Sequence, residues 1–547
     1  MPHSFFHGWK TRLFHLSHSP LVLANLTAGI LLSGFLIACA IVGIRGNAKT
    51  MADPAAMVMN RFQQRLDKIS GSNPNQARAL AAWLFDVTAS APETPKDGKV
   101  SPATALFLAK IGVASGFQLK EIVRTHVPDA SMRKPFEDFI EVRTQTGSAA
   151  LAARKRLEAA AGAIPPVPFA NEFLGDLLWD EGMMVDAIEA FRREGVLPDA
   201  RRARRLAFNF AVEHRDQKAL REMLAEPLYK DASARDRHVA AVLLGDWGLA
   251  ATSYFKMETQ HLRPAELMFV VLAGFLWYAV FVRFGVRDRW RWVRPLPAVL
   301  AGIASLWPTM ILIHWQELHG GQQENGEFLH DLVFYVAGVG LREEASKLLL
   351  FALFIPWLLK QRSSGTALLT GAFIGLGFAM DENRAYFHAE GLATVAVGRL
   401  LTANFFHAAA TGLAGLALYD LVRTRFGSAE RFIATFVAVV VVHGLYDWVL
   451  EAGSSLTKLG NLTMFSVVIL ALLAQQFFDH LGGLIHPQRG MISLLSMFLV
   501  GVSGLIAAGF ILAAMHDGTM KAVSAVGVEA LGLVPITVLY ARKFVSL

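Results

Sequence analysis

HDLVFYVAGVGLREEASKLLLFALFIPWLL, residues 330–359, decides what kind of fold this chain adopts. The run is largely apolar and exceeds the roughly 20 residues that cross a ~30 Å hydrocarbon layer as a helix. Within it stand Glu343, Glu344 and Lys347. An ionisable side chain at membrane depth costs at least ~2.5 kcal/mol, so such residues are by default functional. The run is too long for one straight span, and Gly338 and Gly340 offer a place to bend or re-enter.

Working outward, eight further apolar runs follow Arg263, near 265–284, 295–315, 366–388, 396–420, 431–451, 460–480, 491–515 and 521–541. Leu21 to Ile44 forms another near the N-terminus. The predicted fold is therefore all-α, a multi-pass membrane bundle of about ten spans. A hydrophobic content of 54% and a mean hydropathy of +0.39 agree, and exclude an ordinary soluble enzyme. Leu36-Ile37-Ala38-Cys39 resembles a lipoprotein cleavage box, but the apolar residues after Cys39 suit an uncleaved anchor better. Cys39 is the only cysteine, so any exported part must hold together by packing without a disulfide.

The net charge of +7 reads as topology, because the arginines cluster beside apolar runs and form no basic stripe for nucleic acid. Arg283, Arg287, Arg289, Arg291 and Arg294 mark one loop as cytoplasmic, and Lys360 with Arg362 another. Arg423, Arg425 and Arg431, then Arg489, then Arg542 and Lys543 keep the parity, while Glu317, Glu324 and Glu327 occupy an opposite loop. Both termini are then cytoplasmic.

Three domains result: residues 1–44 as cytoplasmic start and anchor, 45–263 as an extracytoplasmic helical domain, and 264–547 as a nine-span bundle. In the middle domain Leu174, Gly175, Gly182, Ala187 and Phe191 fall at the offsets of a tetratricopeptide-like hairpin. Leu244-Gly245-Asp246 echoes Leu174-Gly175-Asp176 seventy residues later. An unrelated helix pair fits the same residues.

The ionisable groups inside the spans have helical spacing. Glu343 and Lys347, Glu382 and Tyr386, and His443 and Asp447 are each four apart and share a face. At 1.5 Å per residue from the outer ends, His407 and His443 lie about 12 Å deep, Glu382 about 9 Å and Glu343 up to ~18 Å, so the groups can converge in the outer half of the bilayer. Gly371 and Gly375, with Ala408 to Ala410, Gly412 and Gly415, provide small surfaces for close helix contact. Two carboxylates and two histidines suit peptide hydrolysis, which needs a base for water and donors for an oxyanion. Neither Gly-x-Ser-x-Gly nor His-Glu-x-x-His occurs. Taken singly, each group also reads as an internal ion pair or an interhelical hydrogen bond, and Glu529 as structural. Asp381, Arg384 and His388 read as solvated or paired with one another.

Glu343-Glu344-x-x-Lys347, Gly377-Phe378 leading to Glu382-Asn383-x-x-Tyr386, His407, and His443-x-x-x-Asp447 resemble the PrsW-type intramembrane proteases, relatives of the CAAX-processing and bacteriocin-processing membrane proteases. The likeness spans roughly residues 330–455. It implies that Glu343 activates water while His407 and His443 support the oxyanion. Glu344 then tunes or orients Glu343, Lys347 balances charge, Asp447 orients His443, and Glu382 with Asn383 positions substrate or water, with Tyr386 beside them. Ala403 stands where relatives often carry Phe, which weakens the role of His407 relative to His443.

No cofactor is required by this reading. The alternative within enzymology is a zinc protease using His407, His443, Asp447 and Glu343. A proton-coupled transporter and an inert scaffold are the rivals from other classes. The implied partners are the lipid bilayer, a membrane-anchored substrate resembling an anti-sigma factor, and a protein bound by residues 45–263. The implied location is a bacterial plasma (inner) membrane.

Overall fold

The computed structural model describes residues 14–44, 129–197, 199–260, 264–285, 289–320, 324–390, 401–451, 463–485 and 492–546, with isolated positions at 12, 119–121, 123–124, 127 and 398–399. Lys10, Arg287, Arg489, most of the stretch 45–128 and the side chain of His388 lie outside the described residues. The described residues form helices and no strands. They divide into two compact units, one of Met1–Ala48 with Thr259–Leu547 and one of Lys49–Glu258.

The smaller unit contains α2 (Ala130–Thr144), α3 (Ser148–Ala161), α4 (Ala170–Asp180), α5 (Met184–Gly195), α6 (Arg201–Glu213), α7 (Gln217–Ala225), α8 (Ala234–Leu244) and α9 (Trp247–Gln260). Its cores are aromatic and alanine-rich, with Phe136, Phe139 and Phe173 in one and Phe191, Phe208 and Leu220 in the other. Helices α4 and α5 pack through Gly175, where any side chain would meet the Phe191 ring, 2.7 Å away. A tetratricopeptide array is not confirmed. Leu174-Gly175-Asp176 lies inside α4, whereas Leu244 ends α8 and Gly245 is its left-handed cap, so the seventy-residue echo falls on two different structural positions.

The larger unit begins with α1 (Pro20–Ile44). Then come α10 (Pro264–Val282), α11 (Leu296–Ala304), α12 (Leu306–Gly320), α13 (Phe328–Val333), α14 (Leu341–Ala352), α15 (Ile355–Gln361), α16 (Ser364–Glu390), α17 (Ala403–Arg423), α18 (Ala429–Glu451), α19 (Thr463–Leu484), α20 (Leu494–Asp517), α21 (Thr519–Gly532) and α22 (Val534–Ser546). Helix α1 packs along α20, with Gly34 so close to Ala507 that an added Cβ would sit 2.6 Å from its methyl. Trp277 of α10, Phe405 of α17, Phe498 of α20 and Tyr540 of α22 stack at the centre.

By length and composition, six helical segments among the described residues can cross a membrane: Pro20–Val42, Leu296–Gln316, Ala403–Arg423, Ala429–Leu450, Phe465–Leu484 and Leu494–Met515. The pair α21–α22, bent by 47°, makes a seventh if it is one span. Ten spans are thus not confirmed, and the shortfall has local causes. Helix α10 is short, the run 330–359 breaks into three helices, and α16 carries Asp381, Glu382, Arg384 and Glu390 towards its end.

The break in the run 330–359 prepares the site. Between α13 and α14 the backbone widens into a π-helical turn, Phe334–Gly340, a geometry that recurs at functional positions. An added Cβ on Gly340 would stand 2.6 Å from the Val440 carbonyl oxygen of α18, and one on Gly444 would strike the backbone of Val336. The two glycines let this turn lie directly on α18.

Candidate active site

Four elements supply the polar cluster. Glu343, Glu344 and Lys347 lie on the first two turns of α14, Glu382 and Asn383 on α16, His407 on α17, and His443 with Asp447 on α18. Close approach of α16 and α17 sets the separation: a side chain on Gly375 would strike the His407 carbonyl, and one on Gly371 would stand 2.6 Å from that of Thr411. Small residues at helix interfaces allow such contact between backbones.

Lys347 is the hub. Its fully enclosed ammonium lies 2.8 Å from Glu344 Oε1, 3.5 Å from Glu343 Oε2 and 3.0 Å from His407 Nδ1, and 3.8 Å from the centroid of the Phe378 ring. A buried cation needs such compensation, since desolvation of an unpaired one costs several kcal/mol. Glu344 is equally enclosed, with Oε1 also 2.7 Å from His443 Nδ1 and Oε2 accepting from the Thr411 hydroxyl at 3.3 Å. Both of its oxygens are engaged.

Glu343 is held more loosely. Its Oε2 lies 3.5 Å from Lys347 and 3.4 Å from His443 Nε2, and the side chain keeps 11% of its surface exposed. His443 Nε2 is buried and lies 3.2 Å from Asp447 Oδ2, yet makes no aligned hydrogen bond to either carboxylate. The rings of His407 and His443 are 5.1 Å apart.

On the other side His407 Nε2 meets Glu382 Oε2 at 2.9 Å, which Arg399 also reaches at 2.8 Å. Arg399 further donates to Asn383 Oδ1 at 2.7 Å and sits 3.6 Å over the Tyr386 ring. Asn383 donates to Asn404 at 2.9 Å. Glu382 therefore faces a histidine and an arginine, and Tyr386 serves Arg399, away from the Glu343 pair. The backbone N–H of Gly398, next to Arg399, donates to Glu529 of α21 at 2.7 Å, and Tyr540 of α22 donates to the Leu401 carbonyl at 3.2 Å. Arg384 pairs with Asp381 at 2.9 Å, apart from the cluster.

Arg399, Asn404 and Thr411 complete the site and were not singled out from the sequence. Arg399 was open to detection: it is an arginine at the start of the apolar run 396–420, where the loop-charge parity calls for acids. Asn404 and Thr411 carry no such signal, since short polar residues are common in membrane helices.

One atom each from Glu343, His407 and His443 lies within 4.8 Å of the other two. Two imidazoles and a carboxylate are the donor set of a catalytic zinc site. His443 Nε2, buried without an aligned partner and facing two carboxylates, suits a cation between them, so the residues fit a divalent metal.

Helices of membrane-spanning length folded around an enclosed cluster of carboxylates, imidazoles and one ammonium define a membrane-embedded enzyme. A family model described as PrsW family intramembrane metalloprotease matches residues 289–475. That segment, which holds every residue of the cluster, belongs to the family, and the chain is an intramembrane peptidase. The remaining residues, 1–288 and 476–547, lie outside the match. No curated protein and no solved structure matches the chain.

Proposed function

We propose that the chain cuts a membrane-anchored protein near the outer leaflet, with Glu343 as the base that takes a proton from the attacking water. The observation that carries this reading is the contrast between the two adjacent glutamates. Glu344 has both oxygens committed to Lys347, His443 and Thr411, whereas Glu343 makes only long contacts and keeps 11% of its side-chain surface exposed. A base must be free to reach water, and Glu343 alone of the pair is.

As the hydroxide adds to the scissile carbonyl, negative charge moves to the carbonyl oxygen. His443, held by Glu344 at Nδ1 and with Nε2 aligned on no partner, is the donor at hand for that charge, and the Lys347 ammonium, which His407 and Glu382 help to hold, adds positive charge beside it. Glu343 then returns its proton to the leaving amine, restoring the carboxylate.

A metal reading rests on the family description and the donor set. Glu343, His407 and His443 would hold the ion, with Asp447 beside them, and it would supply Lewis acidity. In that case Glu344 and Lys347 keep His443 and His407 oriented, as outer partners of ligands do.

The substrate class follows from resemblance, a membrane-bound regulatory protein such as an anti-sigma factor, which residues 45–263 recruit. The charge pattern supports cytoplasmic termini, and the family resemblance a bacterial plasma membrane. Comparing membrane proteomes of wild type and Glu343→Gln tests the proposal. One membrane protein should accumulate uncut in the variant; identical proteomes would sink it.

A further inference from the structure

Away from the site, α17, α18 and α19 enclose a cavity of about 700 Å³ that none of the proposed chemistry uses. Its walls are apolar, formed by residues such as Leu413, Leu416, Ala438, Val439 and Leu473. Its mouth is not. Arg423, Arg431 and His480 stand there, with Asp420 as the single acid. Asp420 pairs with Arg423 at 3.1 Å, and Arg431 is exposed. The mouth therefore carries net positive charge.

The dimensions are those of a lipid. Along α18 the lining runs from Arg431 to Val442, eleven steps of the helical rise or about 16 Å. That equals one leaflet of hydrocarbon, about half of ~30 Å. Apolar pockets between membrane helices with a basic rim recognise anionic headgroups. From the charged rim and the matching depth we infer that this groove holds one anionic phospholipid, its phosphate on Arg431 and Arg423 and an acyl chain between α17, α18 and α19.

The inner end of the groove reaches Ala410, one turn beyond His407 on α17, and Val442, the neighbour of His443 on α18. A bound chain would therefore fill the space between the two helices that carry the imidazoles. It would make the lipid a structural component of the bundle.

The test is binding, so it stands whether or not the proteolytic reading holds. The full-length protein is extracted in mild detergent, stripped of lipid and offered phosphatidylglycerol or phosphatidylcholine, and retained lipid is counted by native mass spectrometry. Wild type should keep one phosphatidylglycerol in preference to phosphatidylcholine. Arg431→Gln should weaken that retention about five-fold, as expected for one arginine near a lipid headgroup. Ala438→Trp, which fills the groove, should exclude the lipid while helicity and elution volume stay unchanged. Should the tryptophan variant fail to fold, Arg431→Gln, a change at an exposed position, still decides. Equal retention of the two lipids by wild type, or retention indifferent to Arg431→Gln, overturns the inference.

Discussion

Glu343 and Glu344 are chain neighbours with opposite environments, and this separates what their substitution should do. Removing Glu344 leaves the enclosed Lys347 ammonium without its shortest partner, and unpairing a buried charge costs roughly 3–5 kcal/mol. Glu344→Ala should therefore lower the melting temperature of the protein in detergent and deplete it from membranes. Glu343→Gln keeps size and hydrogen-bonding capacity at a position whose contacts are all long, so it should melt like wild type yet lose about 10²–10⁴-fold in cleavage rate. Equal stability losses for the two variants would contradict the division of roles. If the metal reading holds, wild type purified without chelator should carry about one divalent ion per chain by elemental analysis, and His443→Ala should carry none. An activity that survives exhaustive chelation would remove the metal from the scheme. At this scale the sequence was informative because charge inside an apolar run is costly and therefore rare. Glu343, Lys347, His407 and His443 stand out for that reason, and Arg399 is legible only as a breach of the loop-charge parity at the start of the run 396–420.

Helix contacts turn those residues into a site. Gly375 lies against the His407 carbonyl, and the α16–α17 distance it permits brings Glu382 within 2.9 Å of His407. A methyl group there has nowhere to go, because its neighbour is backbone. Gly375→Ala should cost about 1–3 kcal/mol, the range for overpacking a close-packed interior, and should lower cleavage even in the surviving folded fraction. Normal specific activity per folded molecule would show that this spacing is immaterial to the chemistry. The small residues that allow the contact were readable in advance, since Gly371, Gly375 and Ala408 to Ala410 precede or follow the charged groups at helical spacing. The π-helical turn was not. Gly338 and Gly340 announce a departure from regular helix, but which departure depends on α18 and Gly444, a hundred residues away. The span count is a more local matter: α10 is short, α16 carries four charged residues towards its end, and the run 330–359 is interrupted by the π-helical turn and by the break before α15.

For the whole molecule, the absence of any cysteine besides Cys39 means that the Lys49–Glu258 unit is held by packing and buried polar contacts. The chief polar contact is Arg202 of α6, which reaches Asp176 at 2.7 and 3.0 Å and Glu172 at 3.2 Å, both carboxylates being almost fully enclosed. Burial pushes the Asp176 carboxyl up to about 7 from an ordinary 3.8, with the Arg202 guanidinium opposing that rise. A carboxyl raised on folding favours its protonated form in the folded state. Its contribution to stability is complete below about 3.8 and is lost as pH climbs through the raised value. Replacing Arg202 by alanine removes the opposing charge and widens that window. Arg202→Ala should therefore cost roughly 3–5 kcal/mol near neutrality and less at low pH. In practice, limited proteolysis of the full-length variant should cut within residues 130–260 faster than wild type at pH 8, and the difference should shrink at pH 5. A gap between variant and wild type that does not narrow with acid would mean that Asp176 stays ionised in the fold without its arginine.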